Sequence, residues 1–278
     1  MVQRPLGNHH DGPDTLLVTS DATQTGAVPF ETEIDPNRLP HLIRRAQVVL
    51  WDFDGPICRL FAGHSAERVA GDLVSWVEGR GLHGLLTDTE RESLDPQVVL
   101  RAVDRRHPGS DLVAELEERL TQEELRAASS AWPTEYADPL IRTWTAVGSR
   151  LAITTNNSPR VVRKYLASRG LLDCFAPHIY GRTQELRHLK PDPHCLNRAL
   201  SAMGAAPEDA LMIGDTTPDL RAAERAGVPF LGYARNERKA KILRDAGAET
   251  VLVSLQPLLE LLRAQAGPPG AGGAPGRV

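Results

Sequence analysis

The chain has 278 residues, of which 41% are hydrophobic and 24% are charged, and its formal net charge at pH 7 is −4. This composition is sufficient for one large or two modest globular domains with a buried core. Because the net charge is small and the sequence contains no long basic block, sequence-independent binding of nucleic acid has no electrostatic support, and we expect a small-molecule partner.

The two ends of the chain differ in composition from the rest. Residues 1–40 are rich in Asp, Thr, Gly, Pro and His and show little periodicity, which predicts a disordered N-terminal extension. Residues 267–278 are dominated by Gly and Pro and are also predicted to be disordered. We therefore expect the folded core to consist of residues 41–60 and 132–266.

The segment between the two core parts, residues 61–131, has a helical pattern. Apolar residues recur at helical spacing from about Ser65 to Ala131. The segments Asp95-Pro96, Pro108-Gly109-Ser110 and Thr121-Gln122-Glu123-Glu124 are typical of helix boundaries, the last two as helix starts. These signals predict four short helices that form a small cap domain inserted after the first strand.

The rest of the chain alternates between helices and strands. The predicted strands are Leu151–Thr155, His178–Tyr180, Ala210–Gly214, Val228–Gly232 and Thr250–Val253. The predicted helices are Tyr136–Val147, Pro159–Arg169, Pro193–Met203, Asp219–Ala226 and Asn236–Ala246. This alternation predicts an α/β fold with a doubly wound, Rossmann-like parallel sheet. Because the crossovers are right-handed, the carboxyl ends of the strands lie along one edge of the sheet.

The first predicted strand is followed by two acidic residues. Asp52 and Asp54 come directly after the apolar run 48–51, and Gly55 follows them. Two carboxylates about 4 Å apart repel each other by about 4 kcal/mol at an effective dielectric constant of about 20. A cation or a shared proton relieves this repulsion. The pair therefore predicts a metal site at the carboxyl edge of the sheet, where open α/β sheets bind their ligands.

Further polar residues come at the ends of later strand-like runs. They are Thr155, Asn156, Lys190, Asp215 and Asp219. Each is a common surface residue when it stands alone, and a short motif is weak evidence by itself. Their order along the chain favours one common site at the same edge of the sheet over five unrelated surface residues.

Together these segments resemble the haloacid dehalogenase-like (HAD) superfamily, specifically its phosphoglycolate phosphatase-like members with a helical cap between motifs one and two. The four motifs are Asp52-Phe53-Asp54-Gly55, Thr155-Asn156, Lys190 before Pro191-Asp192-Pro193, and Gly214-Asp215-Thr216-Thr217-Pro218-Asp219. The resemblance covers about Leu42 to Leu262. It departs from the family pattern at Pro56, where many relatives carry Thr or Val, and Thr154 is an alternative to Thr155 in motif two.

The resemblance implies a role for each motif residue. Asp52 is the nucleophile that forms an aspartyl-phosphate, and Asp54 protonates the leaving group and later activates water. Lys190 balances the negative charge of Asp52 and the phosphoryl group. Thr155 and the backbone of Asn156 bind the phosphoryl oxygens.

The cofactor implied by the resemblance is Mg²⁺, a hard cation that prefers oxygen ligands. Its expected ligands are Asp52, the backbone carbonyl of Asp54, and Asp215. Asp219 is expected to bind the ion through a water molecule, or to contact the residues that bind the ion directly. The predicted reaction is the Mg²⁺-dependent hydrolysis of a small phosphate monoester through an aspartyl-phosphate intermediate.

Two other functions remain open. A phosphomutase acting on a sugar phosphate retains the same carboxylate pair, and a binding protein can retain the fold without turnover. Dehalogenation is disfavoured because such members lack the second acid, here Asp54. Three residues of the cap near the first strand, Arg59, His64 and Arg68, could contact the leaving group, but each is expected to be an ordinary surface or packing residue.

The chain also lacks several targeting and cross-linking signals. No apolar run of about 18 residues is present to span a membrane, and no basic segment leads into an apolar one as in a signal peptide. The three cysteines have no C-x-x-C spacing, which argues against a disulfide framework and a zinc site. We expect a cytoplasmic protein that binds a small phosphorylated metabolite, without nucleic acid or membrane partners.

Overall fold

The computed structural model describes residues 38–266 of the chain. The predicted extension up to residue 37 and the predicted tail from residue 267 lie outside the described residues. Residues 38–40, assigned to the extension above, are the first turn of a helix that runs over Arg38–Arg45 and buries Leu39 and Ile43. Among the described residues, no helix is long and apolar enough to cross a membrane.

Within residues 38–266, eight strands form two sheets. In chain order they are β1 (Val48–Trp51), β2 (Cys58–Arg59), β3 (Trp132–Pro133), β4 (Arg150–Thr154), β5 (Ile179–Tyr180), β6 (Ala210–Gly214), β7 (Phe230–Tyr233) and β8 (Val251–Leu252). Six of them make a sheet with the order β5-β4-β1-β6-β7-β8, in which every pairing is parallel. The predicted α/β fold with a doubly wound parallel sheet is confirmed.

Twelve α-helices complete the described part of the chain. They are α1 (Arg38–Arg45), α2 (Ala66–Glu78), α3 (Asp88–Arg91), α4 (Pro96–Arg106), α5 (Asp111–Ala127), α6 (Ala137–Ala146), α7 (Pro159–Ser168), α8 (Leu172–Phe175), α9 (His194–Met203), α10 (Thr217–Ala226), α11 (Glu237–Asp245) and α12 (Gln256–Ala266). Two short 3₁₀ turns lie at Leu186–His188 and Pro207–Asp209. The last helix, α12, is not among the helices predicted from the sequence.

The central sheet is covered on both faces. Alternate residues of β1 point to opposite sides, so that Val49 and Trp51 belong to one hydrophobic cluster and Val48 and Leu50 to another. The first cluster includes residues of α6, α7 and α12, and the second includes residues of α9 and α10. All four residues of β1 are fully buried. This two-sided burial explains why β1 is a continuous apolar run rather than an alternating one.

The register of the sheet aligns the ends of its three central strands. Trp51, the last residue of β1, pairs with Ile153 of β4 and with Ile213 of β6. The polar segments that follow these strands therefore start side by side. This alignment brings motif one next to motifs two and four.

Helices α2 to α5 form the helical insert, which lies within residues 61–131 and has its own hydrophobic cluster. The chain enters the insert through β2 and leaves it through β3, and these strands pair antiparallel, with Cys58 opposite Pro133 and Arg59 opposite Trp132. Four helices were expected here, and four are present. The β2/β3 pair was not expected, because two-residue strands leave no periodic pattern in a sequence.

Several predicted boundaries differ from the structure, among them the start of α10 at Thr217 rather than Asp219, and two further differences have a clear local cause. The segment 121–124 does not start a helix but lies inside α5, because the Thr121 hydroxyl donates to Glu117 Oε1 at 2.9 Å instead of capping a helix. The strand predicted from Val228 begins at Phe230, because the Val228 N–H donates to the Ala223 carbonyl oxygen at 2.9 Å and closes α10. Both errors arise from local hydrogen bonds that sequence periodicity does not reveal.

Candidate active site

The first motif turns sharply at the carboxyl end of β1. The Asp52 N–H donates to the Ile213 carbonyl oxygen at 2.8 Å, which extends the ladder between β1 and β6 by one residue. The Gly55 N–H then donates to the Cys58 carbonyl oxygen at 2.7 Å and closes a tight loop. Asp54 lies in this loop, half-buried, and its Oδ1 accepts from the Leu60 N–H at 2.8 Å. Both acids are thus fixed by backbone geometry.

Gly55 is required by the packing of this loop. Its φ is +133°, a conformation that residues with a Cβ rarely adopt. A Cβ built at this position would lie 2.3 Å from the Asp215 Cγ. The glycine therefore permits motif one to approach motif four closely.

Lys190 is a buried lysine at the centre of the site. Its Nζ donates to Asp52 Oδ1 at 2.8 Å and to the Thr154 carbonyl oxygen at 2.8 Å, and it lies 2.5 Å from Asp219 Oδ1. Burial by itself lowers the pKa of this amine, but the carboxylates of Asp219 and Asp52 raise it above its ordinary value. Lys190 is therefore a fixed positive charge beside Asp52.

Asn156 positions the segment that carries this lysine. Its Oδ1 accepts from the Lys190 N–H at 2.8 Å, and its Nδ2 donates to the Lys190 carbonyl oxygen at 3.2 Å. Its neighbour Thr155 lines the cavity described below. The Thr154 hydroxyl instead donates to the Met212 sulfur at 3.3 Å inside the core. Of the two threonines of motif two, only Thr155 faces the site.

Asp52, Asp215 and Asp219 form a compact carboxylate cluster. Each offers an oxygen within 4.8 Å of the others. Asp219 Oδ2 accepts from the Asp215 N–H at 3.2 Å, from the Thr216 N–H at 3.0 Å and from the Thr216 hydroxyl at 2.6 Å, while its Oδ1 faces Lys190. Asp219 is therefore occupied on both oxygens. The side chain of Asp54 is not part of this cluster.

The cluster fits a divalent cation. Asp215 Oδ1 is buried and has no hydrogen-bond partner among the described residues, and such an orphaned acceptor requires an explanation. The three carboxylates of the cluster face two ammonium groups, those of Lys190 and Lys239, so one negative charge is not balanced. A divalent cation supplies positive charge at this place, and carboxylate oxygens are the ligands that Mg²⁺ prefers.

Burial shifts the titration of the acids in this site. Burial, together with the charges of Asp219 and Asp215, raises the pKa of Asp52 to about 7, and the positive charge of Lys190 opposes this shift. Burial also raises the pKa of Asp54 to about 6, although the hydrogen bond from Leu60 opposes this shift. Asp215 is raised to a pKa of about 6, again mainly by burial and against Lys239. Without a cation, the site is costly to ionise fully.

A cavity of about 500 Å³, called the main cavity, lies over these groups. It is lined by Asp52, Asp54, Thr155, Asn156, Lys190 and Asp219, among others, so it brings together all the predicted site residues except Asp215. Arg101 of α4 also lines it and donates from Nη2 to the Lys190 carbonyl oxygen at 2.8 Å. The helical insert thus contributes a basic side chain to the wall of the main cavity.

Several residues of the site were not predicted from the sequence. Lys239 of α11 contacts Asp215 Oδ2. The side chain of Arg182 is fully buried. Its Nη1 donates to Glu124 Oε1 at 2.8 Å, and its Nη2 donates to Glu124 Oε2 at 3.0 Å. Glu124 also accepts from Asn157 Nδ2 at 3.0 Å and from the Ser158 N–H at 3.2 Å. Through Glu124, this bidentate pair joins α5 to the two residues directly after motif two, and no sequence spacing indicated it.

Comparisons with known proteins agree with this architecture. A family model described as haloacid dehalogenase-like hydrolase matches residues 46–227, which is more than half of the chain. The chain is similar to a phosphoglycolate phosphatase of Nitrosococcus oceani, with 34% identity over 115 residues that cover 41% of this chain and 50% of that protein. It is also similar to the pyrophosphatase PpaX of Halalkalibacterium halodurans, with 29% identity over 136 residues, or 48% and 61% of the two chains. The chain spans about half the length of the curated relatives it matches.

Solved structures show the same fold. A haloacid dehalogenase-like family protein from Streptococcus pneumoniae superimposes with a TM-score of 0.57 at 16% identity, covering 79% of this chain and 100% of that one. A predicted phosphoglycolate phosphatase from Haemophilus somnus gives a TM-score of 0.57 at 16% identity, covering 79% and 99%. Fold, motif order and family match agree, and the chain belongs to the haloacid dehalogenase-like hydrolase family.

Proposed function

We propose that the protein is a Mg²⁺-dependent phosphatase that hydrolyses a small phosphate monoester through an aspartyl-phosphate on Asp52. One observation carries this proposal. The Asp52 carboxylate is paired with the Lys190 ammonium at 2.8 Å and lies in one cluster with Asp215, whose buried Oδ1 has no partner within residues 38–266. A nucleophile, a fixed positive charge and a cation ligand are thus adjacent.

Asp52 is proposed as the nucleophile because one of its oxygens remains open. Lys190 holds Oδ1, and no described group donates a hydrogen bond to Oδ2. Attack of Oδ2 on phosphorus forms the aspartyl-phosphate and breaks the bond to the leaving oxygen. Lys190 and the backbone of motif two, at Thr155 and Asn156, offset the charge on the phosphoryl oxygens.

Asp54 is proposed as the general acid and base. Its pKa of about 6 keeps a protonated fraction available near neutral pH, as efficient proton transfer requires. The proton passes to the leaving oxygen in the first step. In the second step Asp54 takes a proton from water, the water oxygen attacks phosphorus, and phosphate leaves Asp52.

The proposed ligands of Mg²⁺ are Asp52, the Asp54 carbonyl and Asp215. When bound, the ion supplies charge to stabilise the phosphoryl oxygens. Asp219 is proposed to support the site indirectly, because its two oxygens are taken by Lys190 and by the start of α10. The helical insert, residues 61–131, is proposed to act as the cap over the main cavity.

The proposal is tested by phosphate release from a panel of phosphorylated sugars, carboxylic acids and nucleotides, with Mg²⁺ and with EDTA. We expect release from at least one class that requires Mg²⁺ and disappears in Asp52→Asn. Circular dichroism and melting of Asp52→Asn verify that its fold is intact. Conversion of a sugar phosphate to its isomer without net phosphate release would contradict hydrolysis and indicate a phosphomutase instead.

A further inference from the structure

A second cavity, called the basic cavity, adjoins the main one. It has a volume of about 290 Å³, and its lining includes Arg59, Tyr233, Arg235 and Lys239. Both cavities are lined by Asp54, and they also share Phe61, Ala66 and Thr216. Asp54, the proposed proton donor to the leaving oxygen, therefore stands where the two cavities meet.

The two cavities differ in charge. The main cavity is lined by five carboxylates and by two basic side chains, Arg101 and Lys190. The basic cavity is lined by three basic side chains, and its two acids, Asp54 and Asp215, are those of the active site itself. A second anionic group of a substrate, apart from the phosphoryl group held at Asp52 and Lys190, is therefore favoured in the basic cavity over the main one.

The two arginines of the basic cavity are not used in ion pairs. Within residues 38–266, neither Arg59 nor Arg235 has a carboxylate partner within 4 Å, whereas Lys239 is paired with Asp215. Arg59 lies on β2 opposite Trp132 of β3, and its guanidinium carbon is 5.3 Å from the centroid of that ring. The cation–π contact restrains Arg59 while leaving its N–H donors available.

We propose that Arg59 and Arg235 bind a second anionic group, a carboxylate or a phosphate, on the leaving group of the substrate. The oxygen of the leaving group lies next to Asp54, and a leaving group that carries a second anion extends from there into the basic cavity. Guanidinium groups suit both carboxylate and phosphate, because their planar N–H donors form charge-assisted, often bidentate, hydrogen bonds with these anions. This inference rests on the proposed phosphatase function, and it assigns Arg59 the contact with the leaving group that was the less favoured alternative from the sequence.

The test compares substrates that differ only in the second anion. Ethyl phosphate and phosphoglycolate differ by a methyl and a carboxylate group, and fructose 6-phosphate and fructose 1,6-bisphosphate differ by one phosphate. p-Nitrophenyl phosphate, which has no second anion, reports the chemistry alone. The wild-type protein is expected to favour the doubly anionic member of at least one pair, and the favoured pair distinguishes carboxylate from phosphate.

The variants are Arg59→Gln, Arg235→Gln and the double variant, with Arg163→Gln as the matched control. Arg163 is an exposed arginine of α7 that lines neither cavity. For the doubly anionic substrate we expect kcat/KM to fall by about tenfold or more per arginine, mainly through KM. Turnover of p-nitrophenyl phosphate and of the pair member that lacks the second anion should change by less than about twofold.

The outcomes separate this inference from the proposed function. Mg²⁺-dependent turnover of p-nitrophenyl phosphate, with no preference for a second anion or with equal losses on both members of a pair, overturns the inference alone. Absence of turnover on every substrate overturns the proposed function. Selective loss on the doubly anionic member in Arg59→Gln and Arg235→Gln, but not in Arg163→Gln, supports the inference.

Discussion

Asp54 differs from its neighbour Asp52 in its surroundings. Asp52 is paired with Lys190, whereas Asp54 is held by the Leu60 N–H and faces both cavities. A carboxyl group in such a place, with a pKa of about 6, suits a proton donor better than a metal-bound carboxylate. We therefore propose separate tasks for the two acids of motif one.

Asp54→Asn tests this division. Loss of general acid catalysis is expected to lower kcat for an alkyl phosphate by about 10²- to 10⁴-fold. The loss should be clearly smaller for p-nitrophenyl phosphate, because its leaving group needs little protonation. Steady-state kinetics on the two substrates gives the comparison, and equal losses on both would remove Asp54 from the acid role.

Asp215 links metal binding to stability. The ordinary pKa of its carboxyl group is 3.8, and burial raises this pKa to about 6 in the fold. Folding therefore disfavours the charged form of Asp215. The sign follows from this raised pKa: its contribution to stability falls as pH rises from about 4 to about 6, and the cost persists above pH 6. The proposed binding of Mg²⁺ to Asp215 is expected to remove this cost, since the ion pairs with the charged form.

Thermal melts of the wild type and Asp215→Asn measure this effect. Above about pH 6.5 and without metal, Asp215→Asn is expected to melt higher than the wild type, and the difference should shrink towards pH 4. Added Mg²⁺ should raise the Tm of the wild type but not that of Asp215→Asn. A similar rise in both proteins would contradict the assignment of Asp215 as a metal ligand.

At the level of helices and strands, the buried ion pair between Arg182 and Glu124 links two parts of the fold. It connects α5 of the helical insert to the loop after β5, and Glu124 in turn accepts hydrogen bonds from the side chain of Asn157 and the backbone of Ser158, the two residues directly after motif two. Removing one partner of a buried pair leaves a charge without compensation. The helical insert is therefore joined to the segment after motif two by an ion pair, and removing the charge of only one partner should destabilise the fold.

Arg182→Met is expected to lower the free energy of unfolding by about 3–5 kcal/mol, and adding Glu124→Gln should recover part of that loss. Arg160→Ala is the matched control, because Arg160 of α7 pairs with Glu118 of α5 at the surface, at 2.7 Å. That exposed pair should contribute no more than about 1 kcal/mol. Urea denaturation measures all four proteins, and equal costs for Arg182→Met and Arg160→Ala would contradict the importance of burial.

At the scale of the whole molecule, the sheet and the acids of motifs one and four could be predicted from the sequence. Buried parallel strands leave continuous apolar runs, and the acids follow those runs directly. Lys239, Glu124 and Arg182 could not be predicted, since their charges look like ordinary helix surfaces or loops until the fold brings distant segments together. The pair β2/β3 was also invisible, because each strand has only two residues.

In the proposed mechanism, Asp52 carries the phosphoryl group during turnover. The most direct measurement is mass spectrometry of peptides from acid-quenched protein during turnover of p-nitrophenyl phosphate with Mg²⁺. The wild type and Asp54→Asn, which lacks the proposed base and should hydrolyse the intermediate slowly, are compared with Asp52→Asn. We predict one phosphoryl group on the peptide that contains Asp52, absent from Asp52→Asn. Turnover by Asp52→Asn at the wild-type rate, or a phosphoryl group on another residue, would contradict the account.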